Sequence, residues 1–117
     1  MRRHLEDDLQ KTCLQWFKLQ YPRKIIFHVP NGGTRNIREA ARLKKQGVLA
    51  GVFDLFLAEP KNSYHGFWIE MKFGKNKLTD AQQSFQDAMR TRSYRTAECR
   101  SVEEFQSLIV GYLGATK

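Results

Sequence analysis

The 117-residue sequence is short of the residues that staple a chain, carry it through a membrane or divide it into parts. Cysteine occurs twice, as Cys13 and Cys99, which gives no disulfide framework and suits a reducing compartment. No apolar run approaches the roughly 18 residues that a membrane span requires, so a membrane role is not expected. The opening MRRHLEDDLQ has two arginines with no apolar stretch behind them, so a secretory leader is not expected either. Prolines number three, no low-complexity linker interrupts the chain, and no period of about 20–50 residues repeats. A solenoid is thereby excluded, and residues 1–117 read as a single domain. Acidic residues are the scarcer charge, 12 against 20 Lys plus Arg, for a formal net charge of +8.

What is present supports a folded core. Hydrophobic residues make up 41% and aromatics 12%, which argues against disorder. A basic excess in so small a domain makes a polyanion the leading partner. Charge alone does not separate an enzyme from a passive binder.

The periodicity predicts helix, strand, helix, strand, strand, helix, strand, helix. Leu5, Leu9, Cys13, Trp16 and Phe17 form one face of a helix from about His4 to Tyr21, ended by Pro22. Lys24 to Val29 is β-branched and aromatic and reads as a strand, broken by Pro30-Asn31-Gly32-Gly33. A helix is expected over Asn36 to Gln46, with Gly47 as its stop. Short strands are expected over Val52 to Ala58 and Gly66 to Phe73, joined by a hairpin connection through Pro60 to His65. Thr79 to Thr91 reads as helix and Tyr94 to Cys99 as strand. Ser101 and Glu104 have capping-box spacing ahead of a last helix with the stripe Phe105, Leu108, Ile109, Tyr112 and Leu113.

Charges inside two of these strands are the anomaly. An unpaired buried carboxylate is costly and needs a partner or a task. Alternation predicts Phe53, Leu55 and Leu57 on one face and Asp54 and Phe56 on the other. In the next strand Trp68, Glu70 and Lys72 share a face. If the two strands pair, Asp54 sits beside Glu70, and two carboxylates and an ammonium converge. Close carboxylates repel unless a cation joins them, and oxygen ligands suit Mg²⁺ or Mn²⁺. Such an ion polarises a phosphodiester and lowers the pKa of a bound water, and Lys72 would orient that water or stabilise the phosphate charge. The alternative is a structural Glu70–Lys72 ion pair with Asp54 as a strand-end cap.

Gly51-Val52-Phe53-Asp54, sixteen residues before Glu70-Met71-Lys72, resembles the D…E-x-K signature of the PD-(D/E)XK nuclease superfamily. More specifically the chain is similar to the virus-type replication-repair nuclease (VRR-NUC) family. The matching stretches are Glu6 to Gln10, Pro30 to Arg35, Gly47 to Asp54, Ile69 to Lys72 and Leu78 to Gln82. The resemblance implies an α/β fold of the restriction-endonuclease-like type, a central mixed sheet flanked by helices. It implies a Mg²⁺-dependent DNA endonuclease acting on branched DNA such as four-way junctions, working as a homodimer in the cytoplasm of a bacterial or phage-infected cell. Duplex DNA, RNA, or a non-catalytic DNA-binding role are the alternatives.

By the same resemblance Asp54 and Glu70 are metal-binding carboxylates, with the Met71 backbone carbonyl as a further ligand. Lys72 is the catalytic lysine. Glu6 reaches the metal, through water or directly, and Gln82 supports the site. Taken alone, Gln82 is equally the N3 residue of a capping box begun by Thr79, and Glu6 a first-turn acid favoured by the helix dipole. Phe53 stands where the family has proline, and Arg92 where a glycine is expected.

Arg35, Arg38, Arg42 and Lys45 share one face of the second helix and are candidate phosphate contacts, as are Lys75 and Lys77 beyond the E-x-K strand. A charged helix face is also often merely solvated. Asn31, Gly32 and Gly33 form a turn into which a phosphate backbone fits closely. His4, His28 and His65 have no metal-ligand spacing, and no Ser-His-Asp or Cys-His arrangement is apparent.

Overall fold

A computed structural model describes residues 2–30 and 37–114, with side chains from residue 7 onward. The elements are α1 (Arg2–Gln20), β1 (Ile26–His28), α2 (Ile37–Lys45), β2 (Leu55–Leu57), β3 (Phe67–Met71), α3 (Asp80–Thr91), β4 (Arg95–Cys99) and α4 (Val102–Leu113). Their order is the one the periodicity predicts. They build one mixed sheet, β1-β2-β3-β4. The first three strands are antiparallel neighbours and β4 runs parallel to β3, with α3 as the crossover.

Side-chain alternation divides the sheet into two faces. Leu55, Leu57, Phe67, Ile69, Met71 and Cys99 are buried against Cys13, Phe17 and Tyr21 from α1 and its end, and Phe105, Ile109, Tyr112 and Leu113 from α4. Each large side chain withdrawn in this way contributes about 1.5–3 kcal/mol. Two tyrosines close the edges of this layer, with the Tyr112 hydroxyl donating to Glu59 O at 2.6 Å and the Tyr21 hydroxyl to Gly114 O at 3.2 Å. Burial raises the Cys13 thiol to about 12 and the Cys99 thiol to about 11, so both are inert packing residues.

The opposite face meets α3. Trp68 packs edge-on against Phe85 and also contacts Phe56. Thr96 is buried there, accepting from Arg90 Nε at 2.7 Å and donating to Gln86 Oε1 at 3.3 Å.

Phe53 departs from its expected place. It is fully buried, yet it lies outside the Leu55–Leu57 cluster, and its ring contacts Phe85 of α3 at 5.4 Å between centroids. The backbone bends at Asp54 and β2 begins only at Leu55, so period-two alternation does not extend back to residue 53. The turn after α3 also differs. Arg92 has φ −104° and needs no glycine, and it is Ser93, at φ 67°, that takes the left-handed conformation.

Between β2 and β3, Asn62 and Ser63 both have positive φ, and Lys61 and Tyr64 exchange two backbone hydrogen bonds. This is a two-residue hairpin turn of the primed kind. Helix α2 has no buried residue and ends at Lys45, with Gly47, φ 101°, in the turn that follows. At α4, Ser101 accepts from Glu104 N as expected, but Glu104 Oε1 accepts from Arg100 N instead of completing the box. Among the described residues no helix is long and apolar enough to cross a membrane.

Candidate active site

Strand register brings the two carboxylates together. Leu55 faces Ile69, so the next antiparallel step sets Asp54 against Glu70. Each acid then binds the other strand's backbone. The Met71 N–H donates to Asp54 Oδ2 at 2.9 Å, and the Asp54 N–H donates to Glu70 Oε1 at 3.1 Å. The Asp54 carbonyl accepts from Val29 N at 2.8 Å, which ties the acid to the end of β1.

Glu70 is 4% exposed. Burial pushes its carboxyl up to about 8, and the Asp54 charge adds to the rise. Lys72 and the hydrogen bonds to the carboxylate oppose it without cancelling it.

Lys72, also buried, continues the β3–β4 pairing by donating its N–H to Cys99 O at 2.9 Å. Its Nζ lies 3.7 Å from Glu70 Oε2, which is an ion-pair contact longer than a hydrogen bond. The short bond, 2.8 Å, goes to Gln82 Oε1. The ammonium is thus shared between the Glu70 ion pair and the Gln82 amide oxygen.

Gln82 caps α3 and also hydrogen-bonds Lys72 and Glu70. It is the N3 residue of a complete capping box: its N–H donates to Thr79 Oγ1 and its Oε1 accepts from Thr79 N at 2.9 Å. The same Oε1 accepts from Lys72, and Nε2 donates to Glu70 Oε2 at 2.9 Å. The cap fixes the side chain that holds the lysine and the glutamate.

Two positioning residues were not among the candidates. Gly51 has φ 91°, and a Cβ there would lie 2.3 Å from the Ala81 carbonyl oxygen. Only glycine lets the Asp54 loop touch the first turn of α3, the turn that carries Gln82. Arg100 clamps the loop after Lys72, donating to Gly74 O and Asn76 O and pairing with Glu98 at 3.0 Å. The sequence signal for the first was Gly51 itself, three residues before the aspartate; Arg100 had none, because its partners are backbone carbonyls more than twenty residues away.

The other candidates are spread more widely. Lys75 and Lys77 are exposed on the clamped loop. Arg38, Arg42 and Lys45 are exposed on α2, Arg42 within 3.9 Å of Glu39. The Met71 side chain belongs to the core and its N–H to Asp54. Asn31, Gly32, Gly33 and Arg35 lie outside the described residues. Glu6 lies on α1, with its side chain outside them. Among the described residues no three His, Cys, Asp or Glu side chains gather as a metal cluster.

A mixed sheet with helices on both faces, an acid at the start of one central strand and an E-x-K at the end of the next define a nuclease-type domain of the PD-(D/E)XK class. The VRR-NUC domain model matches residues 3–103, and the chain belongs to that family. Among solved structures it is similar to a protein described as a VRR-NUC domain protein, with 27% sequence identity and a TM-score of 0.79. That match covers 96% of this chain and 95% of the other. A search of curated proteins finds no match.

Proposed function

We propose that this domain is a Mg²⁺-dependent endonuclease that hydrolyses phosphodiester bonds in DNA. The observation that carries the reading is the pairing of half-buried Asp54 with buried Glu70, the latter joined to Lys72 through Gln82. A passive DNA-binding module gains nothing from two acids facing phosphate. A hard divalent cation fits this donor set, since it offsets the burial and the neighbouring Asp54 charge that raise Glu70. Asp54, Glu70 and the Met71 carbonyl would hold it, with Glu6 reaching it directly or through water, and Mn²⁺ would serve in its place. When bound, the ion polarises the phosphodiester and lowers the pKa of its water.

The chain's own residues then do the following. Gln82 takes one of the three Lys72 Nζ–H donors and holds the ammonium in place. The remaining donors face the charge that develops on the phosphate or the attacking oxygen. Phe53, packed on Phe85, anchors the Asp54 backbone by burial where a proline would fix φ. Lys75 and Lys77, the α2 cations Arg38, Arg42 and Lys45, and the residues Asn31, Gly32, Gly33 and Arg35 hold the DNA backbone.

The substrate is branched DNA such as a four-way junction, in replication, repair or recombination. A homodimer supplies the two sites that cutting two strands symmetrically requires. The test is nicking of labelled four-way junctions, duplexes and RNA with Mg²⁺, Mn²⁺ or EDTA. Cleavage needs either metal, is fastest on the junction, and falls at least about 10³-fold in both Glu70→Ala and Lys72→Ala. Activity that survives both substitutions overturns the reading.

A further inference from the structure

The turn from α3 into β4 carries Arg90, Arg92, Tyr94 and Arg95 within six residues. The structure gathers three of them, Arg90, Tyr94 and Arg95, around one open cavity that Tyr64 and Thr96 complete. The hydrogen bonds of these arginines go to neutral acceptors. Arg90 donates from Nε to Thr96 Oγ1 at 2.7 Å and from Nη2 to Gln86 Oε1 at 3.2 Å. Arg92 donates to Ala88 O at 2.9 Å, and Arg95 donates to Thr96 O at 2.6 Å with its guanidinium over the Phe67 ring. Elsewhere Lys24, Arg42, Lys72 and Arg100 each have a carboxylate within 4 Å. Glu104 lines the adjoining cavity with Arg95, but its carboxylate accepts from Arg100 N.

Two guanidiniums with neutral partners beside two tyrosine rings, with the exposed Arg92 on the same turn, make a site for an anion with an apolar neighbour. The sugar-phosphate backbone of DNA has that composition. We infer that this turn is a second DNA-backbone site, separate from Lys75 and Lys77, which grips a strand away from the bond that is cut. Arg95 lies three residues before Glu98, the neighbour of Glu70 in the sheet, so the site is displaced by about 10 Å along β4. That offset keeps the arginines off the scissile phosphate and makes them anchors for affinity. The inference rests on the nuclease reading for its ligand, but its test needs no cleavage.

The experiment measures binding of a fluorescently labelled duplex and a labelled four-way junction, in EDTA, across a salt series. It compares wild type with the triple variant Arg90→Gln/Arg92→Gln/Arg95→Gln. Expected is a loss of affinity of more than about tenfold, and a salt slope shallower by about 0.9 for each phosphate contact removed. With Mg²⁺ and saturating DNA, the single-turnover rate of the variant equals that of wild type. Unchanged affinity and slope in a folded triple variant overturn the inference, as does a loss confined to the rate at saturation. If the triple variant does not fold, Arg92→Gln decides alone: its arginine is exposed and bonded only to a helix carbonyl, and its slope drops by about one or the inference fails. Failure of the nuclease reading shows separately, as DNA that wild type binds and leaves uncut with Mg²⁺.

Discussion

The two faces of the sheet are built on opposite terms. Toward α1 and α4 the buried residues are almost all apolar, and the layer is closed by packing. Toward α3 the sheet buries Glu70, Lys72 and Thr96 against Gln86 of that helix, each satisfied by named partners. The first face is where burial stabilises the fold. The second holds charges whose desolvation costs stability, and it is the face on which chemistry is expected. The same four strands therefore serve as a scaffold on one side and carry the candidate site on the other.

Three substitutions separate these roles. The largest effect is expected from Phe105→Ala on the apolar face, a loss of about 3–5 kcal/mol read as a lowered denaturant midpoint. Whatever protein remains folded keeps its cleavage rate at saturating substrate. A reduced rate in the folded fraction breaks the division.

Glu70→Gln probes the other face by pH. The folded carboxyl stands near 8 against an ordinary 4.5, so its protonated form is the one the fold favours. The contribution is full below about pH 4.5 and is lost as pH rises toward about 8. In EDTA, the Tm of wild type should therefore fall relative to Glu70→Gln across that interval, and Mg²⁺ should reduce the gap. A constant difference at every pH shows that Glu70 is not strained by burial.

The smallest effect sharpens the comparison most. Thr79→Ala removes one capping acceptor from α3 and costs about 1 kcal/mol. Because the cap also fixes Gln82, cleavage should fall together with stability, by about tenfold. A stability loss with unchanged kcat separates the cap from the site.

Much of this is legible in the sequence. Element order follows from periodicity, and the meeting of Asp54 with Glu70 follows from pairing two short strands whose acids lie on one face. Cap spacing and site support predict the same residue at Gln82; the cap is complete, and the side chain also bonds Lys72 and Glu70. Other features depend on distance in space rather than on local pattern. Phe53 leaves its expected face because Phe85, thirty-two residues on, offers a buried partner. Arg100 bonds to backbone carbonyls, which leave no side-chain signature. Nothing in the pattern of α2 distinguishes a helix packed on one face from one with no buried residue.

A capping box ordinarily accepts glutamate or glutamine at its third position, since either offers an oxygen to the cap N–H. At Gln82 that choice is closed. Its amide nitrogen donates to Glu70 while its oxygen serves Thr79 and Lys72, and glutamate has no donor to give. A glutamate there would set a third carboxylate against an acid already raised to about 8. The helix start, usually written in a two-letter alphabet, is here reduced to one letter.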